Sequence, residues 1–355
     1  MPVDGRRGEK PPGPTVPHAP AEAPGPARPT SNDVARRAGV SRATVSHVLN
    51  GTDHPVSEGT RQRVLAAARE LQYAPNASAR ALRAGRSNIV LVPMSRFPAV
   101  PGEDRFLENL DRELATRDLV LLMHGDRTTS GVQGAQAWAE LRPAAVYVNV
   151  SRGTPTAVEL LRRAGVQAVL LTGAPRVAYA PTVPLDPAAV ARLATRHLLA
   201  RGARRLACLV PTGPLAELPT QRYEAVVEVA AADNVPVERV DCELSSDSIA
   251  PVVDRWRDPA HRPDAVYTNS DPFAILLIDK LREAGLRVPQ DVAVVGSGDH
   301  PLGAALRPAI TTATFDVPAI ARVVASSIRR LLDGMDLDPG LEAALRPHLI
   351  VRESG

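Results

Sequence analysis

The chain has 355 residues, 44% of them hydrophobic but only 3% aromatic, and a net charge of +3. That length gives room for two or more domains, with cores filled by Val, Leu and Ala rather than rings. Two cysteines exclude a disulfide framework or a thiolate metal site, and no apolar run approaches the ~18 residues of a membrane helix.

Residues 1–28 contain eight prolines among Gly, Ala and scattered charge. Such a segment buries too little apolar surface to offset chain entropy, so a disordered Pro-rich tail is expected. Arg6 and Arg7 are followed by no apolar stretch, which argues against a secretory signal and for a cytoplasmic chain.

Residues 30–51, TSNDVARRAGVSRATVSHVLNG, read as two short helices around a tight turn. Thr30 is placed to cap the first helix, Ser41 the second, and Gly39 sits in the turn. At about 100° per residue, Val45, Val48 and Leu49 share one side of the second helix, facing Val34, Ala35 and Ala38. Arg42, Ala43, Ser46, His47 and Asn50 share the other, and those residue types suit phosphate oxygens and base edges. Ser57 opens a third helix carrying Val64, Leu65, Ala68 and Leu71, and Pro75 is expected to stop it. From Thr30 to Arg86 there are nine basic residues against four acidic ones, so a +5 module precedes a remainder of −2. Charge of that kind alone fits a solvated face; joined to the helix-turn-helix pattern it indicates an anionic partner.

Residues 76–84, NASARALRA, favour a helix too short to stand alone in water, with Leu82 as its one large apolar residue. Either Leu82 tucks against the body, or the segment folds on nucleic acid and Leu82 wedges between bases. From residue 87 the pattern changes to short apolar runs at 89–92, 119–123, 144–148, 168–171, 206–210, 265–267 and 292–295. Helical stripes separate them, among them Phe106, Leu107, Leu110 and Leu114; Val190, Leu193, Ala194, His197 and Leu198; and Phe273, Leu277 and Leu281. Alternation of this kind predicts parallel sheets covered by helices on both faces. The stretch exceeds one ordinary core, so two α/β lobes with a cleft are expected.

This combination resembles the lac repressor (LacI/GalR) family of bacterial transcription regulators. The likeness is carried by DVARRAGVSRATVSHVLNG and LQYAPNASARALRAGRS at the front, and by HLLARGARRLACL, LREAGLRVPQDVAVVG, ITTATFD and VRES behind. The resemblance implies a three-helix helix-turn-helix headpiece at 29–74, a hinge helix at 75–86 and a two-lobed α/β periplasmic-binding-protein-like domain at 87–355. It implies a homodimeric repressor on an inverted-repeat operator in double-stranded DNA, with no cofactor, no metal and no membrane.

By position, the resemblance assigns phosphate contacts to Thr30, Ser41, Thr44, Ser46, Ser57, Thr60 and Tyr73. It assigns base reading to Arg42, Ala43 and His47, with Asn50 on the same face. Asn76 and Ala79 fall at hinge positions near the minor groove, and Leu82 at the intercalating one. Arg222, Asn269 and Asp271 match effector-binding positions in the cleft. Two departures stand out. His47 occupies a position that is commonly Arg, and the acid that grips sugar hydroxyls falls on Gly298, leaving Asp299 as its substitute and His300 as a neighbour. The implied effector is therefore small and polar, and anionic rather than a neutral sugar. The alternative is a regulator whose body has lost sugar binding and answers to a protein partner or to no ligand.

Other chemistries fit poorly. The GSGD at 296–299 lacks nucleotide-fingerprint or nucleophile-elbow spacing, and the eight histidines show no metal-like pairing. His197 reads as a satisfied core histidine and Cys208 as a buried core thiol. A periplasmic solute-binding protein would not carry the headpiece.

Overall fold

The computed structural model describes residues 29–50, 56–73, 87–94, 102–125, 129–212 and 217–355, apart from the side chains of Asn50 and Glu217. The Pro-rich segment 1–28 and the expected hinge helix, with Asn76, Ala79 and Leu82, lie outside these residues. The described residues form two compact units, one ahead of the Arg83–Ala84 boundary and one after it.

The first unit is three helices: α1 (Ser31–Ala38), α2 (Arg42–Asn50) and α3 (Glu58–Glu70). Thr30 and Asp33 form a reciprocal capping box at the start of α1, the Thr30 side chain accepting from the Asp33 amide and the Asp33 carboxylate from the Thr30 amide. Gly39 ends the helix in the left-handed region at φ 66°. Ser41 Oγ accepts the Thr44 amide at 3.0 Å to open α2, and Ser57 caps α3. The α3 helix stops before Pro75. Gln72 turns left-handed at φ 50°, the Gln72 amide bonds Arg69 O, and the Tyr73 amide bonds Ala68 O. This Schellman geometry, rather than the proline, terminates the helix. The core between the helices is Val34, Ala35, Ala38, Val45, Val48, Val64, Ala67 and Ala68, with Leu49, Leu65, Leu71 and Tyr73 against it.

The second unit carries two sheets. The first lobe contains β1 (Ile89–Pro93), α4 (Glu103–Ala115), β2 (Val120–His124), α5 (Gly131–Glu140), β3 (Ala145–Asn149), α6 (Pro155–Arg163), β4 (Ala168–Thr172) and β5 (Thr182–Val183). Its strands run parallel in the order β2-β1-β3-β4-β5. The second lobe contains α7 (Ala189–Ala200), β6 (Leu206–Pro211), α8 (Glu217–Ala231), β7 (Val237–Cys242), α9 (Ser246–Trp256), β8 (Ala265–Thr268), α10 (Asp271–Glu283), β9 (Ala293–Ser297), α11 (Pro301–Ala305) and β10 (Thr311–Thr314). The chain then returns through α12 (Val317–Leu332) and α13 (Leu341–Ala344) and ends near β11 (His348–Ile350). The second sheet has the order β11-β10-β9-β8-β6-β7, parallel except for β11 against β10.

The return explains why the lobes are not independent. Ile320, Ala321, Val324, Ala325 and Ile328 of α12 are buried against Val90, Val92, Leu110 and Leu114 of the first lobe, although the preceding strand belongs to the second. Each sheet has apolar clusters on both faces, as the continuous apolar runs require. The seven expected strands are all present. The four that the pattern did not mark have reasons: β5 has two residues, β7 (VERVDC) is a charged edge strand, β10 (TTAT) is threonine, and β11 pairs on one side only.

Cys208 is fully buried and Cys242 nearly so, and both are free thiols. Burial raises both thiols, Cys242 to about 11, which keeps them protonated and inert. His197 departs from expectation: it is half-buried, and its buried Nε2 has no hydrogen-bond partner among the described residues.

Candidate functional site

The exposed side of α2 is built by the pattern that makes its buried side. Val45 and Val48 are 1% and 5% exposed, which turns Ser41, Arg42 and Ala43 to solvent and leaves Thr44, Ser46 and His47 half-exposed. Ser41, Ala43, Thr44 and His47 line an open concavity of about 390 Å³ whose other wall is Val56, Ser57 and Thr60 at the start of α3. Helix starts supply amide donors and hydroxyls at one place, which suits a phosphate oxygen. Ser41 and Thr44 share a hydroxyl bond of 2.9 Å, and Ser57 Oγ donates to Thr60 Oγ1 at 3.0 Å. Arg42 is exposed at the head of α2 and forms no ion pair among the described residues. The structure thus gathers Ser41, Ala43, Thr44, His47, Ser57 and Thr60 at one face. Thr30 caps α1, Tyr73 packs on the headpiece core, and the Asn50 side chain lies outside the described residues.

In the second unit the C-terminal edges of the two sheets meet. Arg105, just past β1 on α4, donates to Asp299 O, just past β9, at 3.2 Å. Open α/β folds place ligands at such edges. Arg222 of α8 is half-buried there: Nε donates to Pro187 O at 3.1 Å, on the segment linking the lobes, and Nη1 to Asn269 O at 2.6 Å. Among the described residues Arg222 makes no ion pair. Asn269 is 3% exposed; its Nδ2 donates to Leu209 O, and its buried Oδ1 has no partner among the described residues.

The two expected cleft acids are committed elsewhere. Asp271 is 0% exposed and accepts from the His300 amide at 2.6 Å and Thr312 Oγ1 at 2.8 Å. Burial raises its carboxyl above the ordinary range, and those two donors oppose the rise. It joins α10, the loop after β9 and β10, and presents no face to a ligand. Asp299 is ion-paired with Arg352 Nη2 at 2.7 Å. Its carboxylate is thus shared with Arg352 through one oxygen while remaining partly exposed. His300 caps α11, its Nδ1 accepting the Leu302 amide at 3.2 Å. Gly298 has φ 111° with open space beside it.

Sequence reasoning missed the partners that hold this arrangement. A Cβ on Gly296 would lie 2.1 Å from Asp271 Oδ1, so a side chain there is excluded. Thr312 and Arg352 are as necessary, and the only sequence signal for them was their presence inside ITTATFD and VRES.

Two family models match the chain: bacterial regulatory proteins of the lacI family over residues 30–76, and the periplasmic binding protein-like domain over 195–355. The transcriptional regulator CelR of Thermobifida fusca is 30% identical over 345 residues, which cover 92% of this chain and 98% of that protein. The chain belongs to the LacI family. It is accordingly a DNA-binding transcription regulator, with a helix-turn-helix headpiece and a two-lobed periplasmic-binding-protein-like body. Among solved structures, a CelR–cellobiose complex matches at TM-score 0.57 and 27% identity, covering 92% of this chain and all of that one. A lac repressor dimer bound to operator and an anti-inducer shares the fold at TM-score 0.71 and 23% identity, covering 92% and 99%. Among the described residues, no helix is long and apolar enough to cross a membrane.

Proposed function

We propose that this LacI-family member is a repressor that binds an inverted-repeat operator as a homodimer and is switched by a small anionic effector at the cleft edge. The observation that carries the DNA half is the face shared by α2 and the start of α3. There Arg42 is exposed, with no carboxylate partner among the described residues, beside a concavity lined by Ser41, Ala43, Thr44, His47, Ser57 and Thr60. Arg42, Ala43 and His47 read bases; Ser41, Thr44, Ser46, Ser57 and Thr60 hold phosphates, with Thr30 and Tyr73 flanking them. The family resemblance assigns Asn76, Ala79 and Leu82, which lie outside the described residues, to the minor groove, with Leu82 inserted at a central step that unstacks cheaply.

A second copy is needed because one headpiece reads half a site. Two of the sheet edges, β7 and β2, differ in a way that supports dimerisation through the first lobe. Edge strand β7 carries Glu238, Arg239 and Asp241, charges that discourage pairing. Edge strand β2 (VLLMH) carries no Lys, Arg, Asp or Glu and exposes Val120 and Met123. An effector is inferred from Arg222. It is a half-buried guanidinium whose two mapped bonds go to carbonyls, with Asp271 and Asp299 committed and no side chain on Gly298. Such a site attracts a carboxylate or phosphate more than neutral hydroxyls.

Selection of bound sequences from a random library tests the DNA half. A palindromic consensus is expected, and Arg42→Ala should relax one position in each half-site at a cost of about 1–3 kcal/mol. Full-affinity binding by a monomer to one asymmetric site refutes the architecture. A thermal-shift screen of sugars, sugar phosphates and small organic acids, repeated with Arg222→Ala, tests the effector half. A neutral sugar such as cellobiose that stabilises the chain and releases DNA refutes the charge argument. Silence from every class favours a body that answers to a protein partner or to nothing.

A further inference from the structure

We propose that Arg63 is a phosphate-contacting residue of the headpiece, acting with Thr60 on one backbone phosphate; the proposal rests on the DNA-binding reading. Ser57, Thr60 and Arg63 lie three residues apart, which aligns them along one face of α3. Thr60 Oγ1 accepts from Ser57 Oγ at 3.0 Å and from Arg63 Nη2 at 3.2 Å. A hydroxyl has two acceptor lone pairs and one donor hydrogen. With both lone pairs engaged, the Thr60 hydrogen is left available to an acceptor outside the row. Arg63 also keeps guanidinium donors beyond the one bound to Thr60. What the row offers to solvent is donors and a positive charge, the complement of a phosphate oxygen. Thr60 borders the same concavity as Ser41, Thr44 and His47, so the phosphate lies beside the base-reading helix.

Among the described headpiece arginines, Arg63 shares the lack of a carboxylate partner with Arg42, the proposed base-reading residue, and with Arg69, and this sets it apart from the rest of the basic surface. Arg36 pairs with Asp33 at 2.5 Å, Arg37 with Glu70 at 2.7 Å, and Arg61 with Glu58 at 4.0 Å. Each must give up a carboxylate to engage DNA. Arg69 turns to Leu65 O toward the far end of α3. Arg63 is exposed, has no carboxylate partner among the described residues, and already contacts a residue of the concavity.

The experiment uses the full chain and a random-sequence duplex, with affinity followed by fluorescence anisotropy across a potassium chloride series. Each phosphate neutralised contributes about 0.9 to the slope of log K against log salt. Arg63→Gln should lower that slope by about 0.9 per engaged headpiece, with the thermal transition unchanged because the side chain is exposed. Arg63→Lys should retain the slope, and Arg61→Gln should leave it unaltered. Thr60→Ala should weaken binding without changing the slope, since it removes a donor and no charge. A wild-type slope in Arg63→Gln, or an equal fall in Arg61→Gln, overturns the proposal while the DNA reading stands. A wild-type chain that binds no duplex at low salt overturns both.

Discussion

The contact between Gly296 and Asp271 gives a prediction whose size follows from the structure. An Ala at 296 would place its Cβ 2.1 Å from Asp271 Oδ1, 3.1 Å from Asp271 Cγ and 3.2 Å from Ile310 Cγ2. Carbon and oxygen meet without strong repulsion at about 3.3 Å, so the carboxylate must retreat by about 1.2 Å. It has nowhere to retreat, being 0% exposed and held by the His300 amide and Thr312 Oγ1 at 2.6 and 2.8 Å. Bonds to a charged group contribute about 1.5–3 kcal/mol each, and a buried charge stripped of partners costs about 3–5 kcal/mol. Gly296→Ala should therefore destabilise the body by about 3–5 kcal/mol, a fall of about 5–10 °C in Tm for a domain this size. Calorimetry at pH 7 measures it. The decisive step is a cycle with Asp271→Ala, in which the carboxylate clash disappears and only the 3.2 Å approach to Ile310 Cγ2 remains, so the cost of Gly296→Ala should drop to about 1 kcal/mol. A small cost for the single variant, or equal costs in both backgrounds, refutes the reasoning.

Gln72 closes α3 at φ 50°, a conformation glycine adopts freely. Gln72→Gly should stabilise the headpiece by about 1 kcal/mol, seen as roughly fivefold slower amide exchange at Val64 to Ala68. Thr30 bonds hold the Asp33 carboxyl below its ordinary 3.8, so its contribution is present above that value and lost as pH falls through the folded pKa. Asp33→Asn should flatten the acid limb of headpiece unfolding below about pH 4, with little change in pH dependence near neutrality. Arg352→Gln breaks the partly exposed pair with Asp299, and after solvent screening the cost should be about 1–2 kcal/mol in chemical denaturation.

The strength of the sequence reading tracks the range of the interactions involved. Caps and turns depend on neighbours in the chain, and Thr30, Gly39, Ser41 and Ser57 all occupy the positions their chemistry suggested. Apolar periodicity depends on which side is buried, so it marked the inner face of α2 and seven strands. It could not mark β7, whose charges interrupt the pattern, or β10, whose threonines are buried by hydrogen bonding as much as by packing. Nor could it show that α12 crosses back to the first lobe, because an amphipathic stripe does not name the sheet it meets.

The same limit governs the cleft. Asp271, Asn269 and Arg222 have the residue types of a ligand site, and their location at strand ends is right for one. What each side chain does there is set by residues 41, 60 and 47 positions away: Thr312, Leu209 and the Asn269 carbonyl. Spacing cannot distinguish an acid that faces a ligand from one that ties three elements together; only the partners can. Gly298 makes the point in backbone terms. The absence of an acid there reads in the sequence as one lost side chain, which Asp299 could replace. In the structure Asp299 is held by Arg352, while Gly298 sits at φ 111°, where an L side chain is strained even though the space beside it is open. The departure from the family pattern is thus built into the chain path as well as the side chain. A side chain at 298 would need the loop to rearrange, and this supports the proposal of an anionic effector over a neutral sugar.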